Sequence, residues 1–370
     1  MSVKVVPYEN THIPAVHAFN ERIRAGGINF RFPEDKVSEQ TEEDPQIFKR
    51  ECYLALERDG TMRGGYVLKR HPYQRCGKDA IAGNYQLPLS EGTINPAYGM
   101  VGIQILLDCL ARQPRLYCLG MGGLERPLPV MLRKMGWRVD LVPFFFHIVH
   151  PQAFLKGIVF LRQYPKYRAA LDLLRLTGVG YISLKAWMSL SAIVCSVRIA
   201  ARRTSSSKAL EFGEWADTIF RKASPIYEFI GVRDRAALAQ LYPVSDSRFI
   251  RVLVENKQGP VGWAVVLATQ MQGHKQFGDM KVGSLVDVLT IPGYEGDVVD
   301  HAIRTLKRHN VDLIVSNQSS SEWQRALRGA GFIQGPSNFA IACSKQLASE
   351  ITDFGSCHFN RGDGDGPIHL

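Results

Sequence analysis

Apolar and polar positions pass through the same succession of periods twice along this chain. Tyr53–Val67 (YLALERDGTMRGGYV) and Arg251–Val265 (RVLVENKQGPVGWAV) each read as two strands around a turn dipeptide, Asp59-Gly60 or Gln258-Gly259, the mark of a hairpin. Within them the strands fall at Cys52–Glu57 with Gly65–Lys69, and at Ile250–Glu255 with Val261–Ala268. Further strands are expected at Tyr85–Ile94, where Pro88 cannot donate to a ladder, and at Ser284–Ile291. Helical spacing follows in both halves. Gly102, Ile105, Leu106 and Cys109 share one face of Val101–Arg112, and Val299, Ala302, Ile303 and Leu306 one face of Val298–Arg308. Short apolar strands (Leu116–Leu119, Leu313–Val315) and second helices (Arg126–Met135, Ser321–Arg328) complete each copy, with Gly136 as a C-terminal cap. Gly99 and Gly296 fall in register, 197 positions apart, and KMGW at Lys134–Trp137 answers GAGF at Gly329–Phe332. The first half also opens on a strand, Val3–Pro7, and a helix, Ile13–Arg24, and carries a polar loop over Arg31–Asp44. Alternating strands and helices predict an α/β fold with mixed sheets. The expected organisation is a first domain over 1–150, an insert over 151–208, a second domain over 209–347 and a tail over 348–370.

The insert differs in composition. Between Pro151 and Lys208 ten basic residues face a single acid, Asp172, so this segment holds +9 of the chain's net charge of +10. The basic balance is therefore not a property of the two repeated halves. RNP-type aromatics, zinc-finger spacing and basic-zipper patterns are absent, so a nucleic-acid partner is not expected. Helices are predicted over Phe154–Leu161, Tyr167–Leu176 and Ile182–Ala201, with Thr204–Ser207 as a linker. From Leu176 to Val197 the only charge is Lys185. A helical insert packed against the domains fits this first, contact with an anionic membrane surface second, and a bilayer span last. Seven cysteines without a CxxC pair point to a reducing compartment. The first residues hold no apolar core of signal-peptide length. The expectation is a cytoplasmic protein, with peripheral contact at the inner membrane face through 151–208 as the second reading of the insert.

The order strand, glycine loop, helix, strand, helix, glycine-aromatic over about 50–137 and 250–332 resembles the GNAT superfamily of acyl-CoA-dependent N-acyltransferases. The resemblance implies two GNAT-like mixed-sheet domains joined by the insert. It also implies that a loop of the form [RQ]-x-x-G-x-[GA] holds the coenzyme A pyrophosphate on free amides at a helix tip. Pro96–Gly102 occupies that place in the first half, which makes Tyr98, Gly99, Met100, Val101 and Gly102 the cofactor-binding candidates. Pro96 replaces the Arg or Gln, and Gly102 comes one position late. In the second half Gly293–Val298 puts Glu295 and Asp297 where a polyphosphate would be repelled. Acetyl-CoA or another acyl-CoA is thus expected in the first half, as co-substrate, with no metal.

The chemistry implied is attack of an amine on a thioester, which needs a base and an oxyanion-binding amide on the fourth strand. Glu91 and Asp287 are the candidate bases. Asp287 lies in the apolar run Leu285–Leu289, aligned one residue off Ser90. The helix before the glycine-aromatic element lacks a Tyr acid in both halves, leaving Tyr98 or Tyr117 to take that part. The tail, with RGDGDG at Arg361–Gly366, resembles those of proteins from bacterial polysaccharide biosynthesis clusters, which implies an amino-sugar-like acceptor. Its Asp-x-Asp could ligate a hard cation; a solvated acidic turn is the plainer reading. Two rivals stay open: a Fem-type aminoacyl transferase using aminoacyl-tRNA, and a non-catalytic GNAT-fold scaffold at the membrane.

Overall fold

The computed structural model describes residues 3–34, 47–165, 168–169 and 193–364. They divide into two compact units. One comprises 1–73, 79–140 and 340–352, the other 74–78, 141–339 and 353–370.

The first unit contains β1 (Lys4–Pro7), β2 (Lys49–Leu56), β3 (Met62–Arg75), β4 (Lys78–Ser90), β5 (Leu116–Leu119) and β6 (Arg138–Leu141). Strand Ala340–Cys343 enters between β5 and β6, so the order is β1-β2-β3-β4-β5-(340–343)-β6. The β3–β4 turn, unseen in the apolar pattern, is set by positive φ at Cys76 (46°) and Gly77 (77°), as a two-residue hairpin turn requires. β4 and β5 are parallel and pair only at Gly83↔Leu116 and Asn84↔Tyr117; beyond this they part. Successive residues of β2 serve opposite faces. Cys52 and Leu54 meet Val16, Phe19 and Ile23 of α1 (Ile13–Ala25). Tyr53 and Ala55 join a core with Val101, Ile105, Leu106 and Cys109 of α2 (Val101–Arg112) and Leu132 of α3 (Pro127–Lys134). Each large apolar side chain so buried contributes roughly 1.5–3 kcal/mol. The periodicity placed α2 and β5 correctly to the residue.

The second unit repeats the plan. Its sheet runs β14-β7-β13-β12-β11-β10-β8, from β7 (Phe144–Ile148), β8 (Ser205–Lys208), β10 (Ile250–Asn256), β11 (Gly259–Gln270), β12 (Lys281–Thr290), β13 (Leu313–Asn317) and β14 (Ile333–Gly335). A short strand, β9 (Phe229–Gly231), pairs in parallel with Cys357–His358. β12 and β13 pair in parallel from Val282↔Leu313 to Leu285↔Ser316. The helix Glu295–Arg308 covers one face through Val298, Val299, Ala302, Ile303 and Leu306.

Three expectations are corrected. The expected boundaries at 150 and 347 do not coincide with the compact units: β7, from the first half of the sequence, lies in the second unit's sheet, and Ala340–Cys343 lies in the first's. β7 is buried at all five positions and paired on both sides, which removes the alternation that marks a one-sided strand. Ser205–Lys208 is not a linker but an edge strand paired with β10. In the insert, α4 (Pro151–Gly157) ends before Leu161, and residues 193–202 are helical. Tyr167–Leu176, apart from the helical residues 168–169, and the first part of Ile182–Ala201 lie outside the described residues. Among the described residues no helix is long and apolar enough to cross a membrane.

The second unit buries groups that titrate in mild acid. His147 and His301 are each 3% exposed, and burial pushes both imidazoles down to about 4. Burial pushes the Asp300 carboxyl up to about 6, against the pull of Arg198. The two histidines favour folding fully above an unfolded value of about 6.5 and lose that contribution as pH falls through about 4. Asp300 acts in the opposite sense below about 6, as does Asp297, whose carboxyl burial also raises, while His358, which burial pushes down, acts with the two histidines. Thermal unfolding at pH 4.5 and 7.5 should therefore show the second unit destabilised in acid by a few kcal/mol, on the order of one histidine's 2.5-unit shift. His147→Gln and His301→Gln should each reduce that difference.

Candidate active site and its counterpart

In the first unit the main chain leaves the regular ladder beside the point where β4 and β5 part. Leu87 has φ of 47°, a conformation costly for a branched residue and concentrated at functional sites. Pro88 follows and has no N–H to lose. β4 stops at Ser90, and Glu91–Thr93 form a single 3₁₀ turn, so Glu91 is not on a strand as expected. A second such turn, Pro96–Tyr98, leads through Gly99 and Met100 into α2. Tyr98 and Gly99 donate to the carbonyls of Asn95 and Pro96, and Ile103 and Gln104 to that of Met100. Among the described residues the amides of Met100, Val101 and Gly102 have no protein acceptor. These are orphan donors of a helix start, with Gly99 and Met100 exposed. The helix itself is held by Tyr66 on β3, whose hydroxyl donates to Asp108 at 2.5 Å.

Glu91 and Tyr98 are brought together, through a third residue. The Glu91 carboxylate, 5% exposed, accepts from Arg22 Nε at 3.1 Å and Nη2 at 3.2 Å, and from Arg63 Nη1 at 3.1 Å to both oxygens. Arg63 also pairs with Glu57, and its guanidinium lies 4.3 Å over the Tyr98 ring. Burial opposes the Arg63 charge, but the bonds to Glu57 and Glu91 hold its pKa above the ordinary value. Gly92 seals the arrangement, since a β-carbon there would sit 2.9 Å from Gly99 Cα. Tyr117 is elsewhere, on β5, 2.7 Å from His71 Nε2. His71 Nδ1 faces the Pro72 carbonyl at 3.2 Å, which can only accept, so in the neutral ring Nε2 accepts from the Tyr117 hydroxyl. No sequence pattern marked His71.

The second unit's turn is covered. Arg198 Nη1, from the insert, fills the space a side chain on Gly296 would need, and Arg202 donates to the Gly293 carbonyl. Arg198 lies 3.5 Å from Asp300, and Arg202 3.6 Å from Asp297. Thr204 donates to Asp297 at 3.0 Å, and Gly293 N–H bonds Glu295. A space of about 310 Å³ remains beside them, lined by residues that include Glu295, Glu322 and Arg325. Two of the insert's cations thus neutralise buried acids of its own unit.

Asp287 is 0% exposed and saturated. One carboxylate oxygen accepts from Arg233 Nε and the Tyr242 hydroxyl, each at 2.7 Å. The other accepts from Val288 N–H at 2.9 Å and Asn360 Nδ2 at 2.7 Å. Burial and the neighbouring carboxylate hold the Tyr242 phenol well above its ordinary pKa. Burial disfavours charge on Arg233, but Asp287 and Asp363 outweigh it and raise its pKa. The expectation of a solvated acidic tail is corrected for its described part: Asp363 is 4% exposed and paired with Arg233. Among the described residues no group of three or more His, Cys, Asp or Glu could hold a metal.

Glu91→Ala would leave Arg63 with Glu57 as its one carboxylate partner and Arg22 with only the Met62 carbonyl beneath the turn. Loss of about 2–3 kcal/mol from the first unit is expected in urea unfolding, less than for a fully buried pair because Arg22 keeps part of its surface in water. Glu57→Ala, which leaves Glu91 in place, should cost less.

No protein-family profile and no curated protein matches the chain, but solved structures do. A GCN5-related N-acetyltransferase from Anabaena variabilis matches with a TM-score of 0.53 at 9% identity, over 92% of this chain and 72% of that one. N-myristoyltransferase of Saccharomyces cerevisiae, with bound myristoyl-CoA, gives 0.50 at 9% identity, over 92% and 82%. A fungal multi-domain β-N-acetylglucosaminidase with a GCN5-related glucosamine N-acetyltransferase region gives 0.51 at 12% identity, over 92% of this chain. The chain spans 38% of that protein's length. At such identities the likeness concerns the fold, and the fold of this chain is that of the GCN5-related N-acyltransferases.

Proposed function

We propose that the protein is an acyl-CoA-dependent N-acyltransferase whose first unit binds the acyl-CoA. The observation that carries this is the contrast between the two glycine turns. The first offers, among the described residues, three orphan amides at a helix tip with no acidic residue in the turn or the first turn of the helix. The second has its amide side filled by Arg198 and its acids buried beneath. A diphosphate gains hydrogen bonds and a favourable helix dipole at the first, and meets Glu295 and Asp297 at the second.

In this reading Tyr98, Gly99, Met100, Val101 and Gly102 form the diphosphate cradle. Arg63, held by Glu91 and Glu57, fixes Tyr98 and so the turn, which makes Glu91 a positioning residue. The acceptor amine attacks the thioester carbonyl, the developing oxyanion takes a hydrogen bond from main chain near Leu87, and collapse forms the amide as the C–S bond breaks, the departing coenzyme A thiolate taking up the proton the amine gives up. Because Pro88 has no N–H, that donor belongs to Leu87 or Leu89. The His71–Tyr117 pair, beside the parting strands, is the proton-handling group closest in character to the missing helix tyrosine. The acceptor we infer is an amine, and an amino sugar of a polysaccharide precursor is the first to try. That choice rests on the resemblance of the tail alone. The Fem-type alternative is disfavoured by Arg198 and Arg202, which are committed to Asp300 and Asp297 and not free for a nucleic-acid backbone.

Calorimetric titration with acetyl-CoA should give one site per chain. Gly99→Glu, at an exposed helical φ of −54°, should weaken binding by about tenfold or more, on the order of one like-charge repulsion at partial screening. Gly296→Glu should not change it. Binding that survives Gly99→Glu and fails with Gly296→Glu would move the site to the second unit.

A further inference from the structure

Residues 357–363 are threaded into the second unit where β12 and β13 part. After Leu285↔Ser316 the two strands no longer pair, and residues 357–363 take the space between them. On the β12 side His358 Nε2 donates to the Val288 carbonyl at 2.8 Å, and Asn360 Nδ2 to Asp287. On the other side Ser319 N–H donates to the Phe359 carbonyl at 2.9 Å, and Phe359 N–H to Ser319 Oγ at 2.7 Å. Gln318 and Asn360 form an isolated bridge. Phe359, 0% exposed, stacks on Phe229 at 4.7 Å.

The recognition is specific to this short sequence. Asp363 meets Arg233, which Asp287 grips from the other side. Gly362 permits the approach, because a β-carbon there would lie 2.7 Å from Asp287 Oδ2 and against the Tyr242 hydroxyl. Asn360 and Asp363 close a capping box on each other's amides. The amide of Val288, which follows the β12 bulge at Val286–Asp287, is spent on Asp287. The fourth-strand donor is therefore no longer open.

We propose that residues 357–363 are a resident occupant of this cleft, a peptide that enters as a strand at Cys357–His358 and closes in a 3₁₀ turn at Arg361–Asp363, held in the place of an exchangeable ligand. The second unit is then a closed copy, filled by the tail at the strand gap and by Arg198 at the glycine turn. Docking of the tail is independent of the function proposed above; only the equivalence of this cleft to the first unit's site rests on that reading. An occupant, unlike a core strand, opens without unfolding the sheet around it.

Amide hydrogen exchange on the full chain, without any coenzyme, reads this directly. In the wild type the amides of Phe359, Asn360, Gly362 and Asp363 should exchange at least about tenfold faster than those of Ala264–Val266 in β11. In Asp363→Asn the tail amides should speed up by a further factor of about ten, with β11 unchanged within about twofold. Equal rates in tail and β11, or a rise shared by both in the variant, would make the tail part of one cooperative core and overturn the proposal. If the variant does not fold, the wild-type comparison decides alone.

Discussion

Parallel strands that pair for a few residues and then separate leave polar groups between them that must be answered by something. Both units are built around such a parting, β4 from β5 and β12 from β13, each beside a break in regular strand geometry and a glycine turn at a helix start. In the second unit the chain answers Asp287 with four donors, one of them from residues 357–363, and two insert arginines lie against the acids at the glycine turn. In the first unit three amides at the start of α2 have no acceptor among the described residues. The proposed division of labour follows from that difference.

Charge shows how firmly the second unit is closed. A guanidinium buried between two carboxylates is a poor source of net stability, because desolvation offsets most of the attraction, yet removing one partner is costly. The Asp287–Arg233–Asp363 set therefore acts less as a stabiliser than as a specifier of what fills the gap. The first unit uses ion pairs differently. Glu91, Arg22, Arg63 and Glu57 lie behind the turn, neutralise one another, and leave its exposed side to amides alone.

Much of the fold could be read from periodicity, and the reasons for the misses are physical. α2, β5 and the hairpins are amphipathic or bounded by turn residues, so local pattern decides them. Phe144–Ile148 is buried on both faces and carries no alternation, so its place in the second sheet was not marked. Ser205–Lys208 is a strand because β10 offers an edge to pair with, not because serine favours one. The contrast between the two glycine turns was legible in part, as Glu295 and Asp297 against an uncharged loop. Its other part, Arg198 over Gly296, joins residues about a hundred positions apart. Asp287 stood out as a carboxylate in an apolar run, and it is indeed buried, but its partners Arg233, Tyr242, Asn360 and Asp363 lie in segments whose patterns gave no reason to connect them.

The central claim is that only the first unit presents open amides to an acyl-CoA. A photoreactive coenzyme A analogue, crosslinked to the intact chain and mapped by peptide mass spectrometry, tests it most directly. The account predicts adducts within residues 85–102. Adducts confined to 286–298, or to the insert helix carrying Arg198 and Arg202, would contradict it.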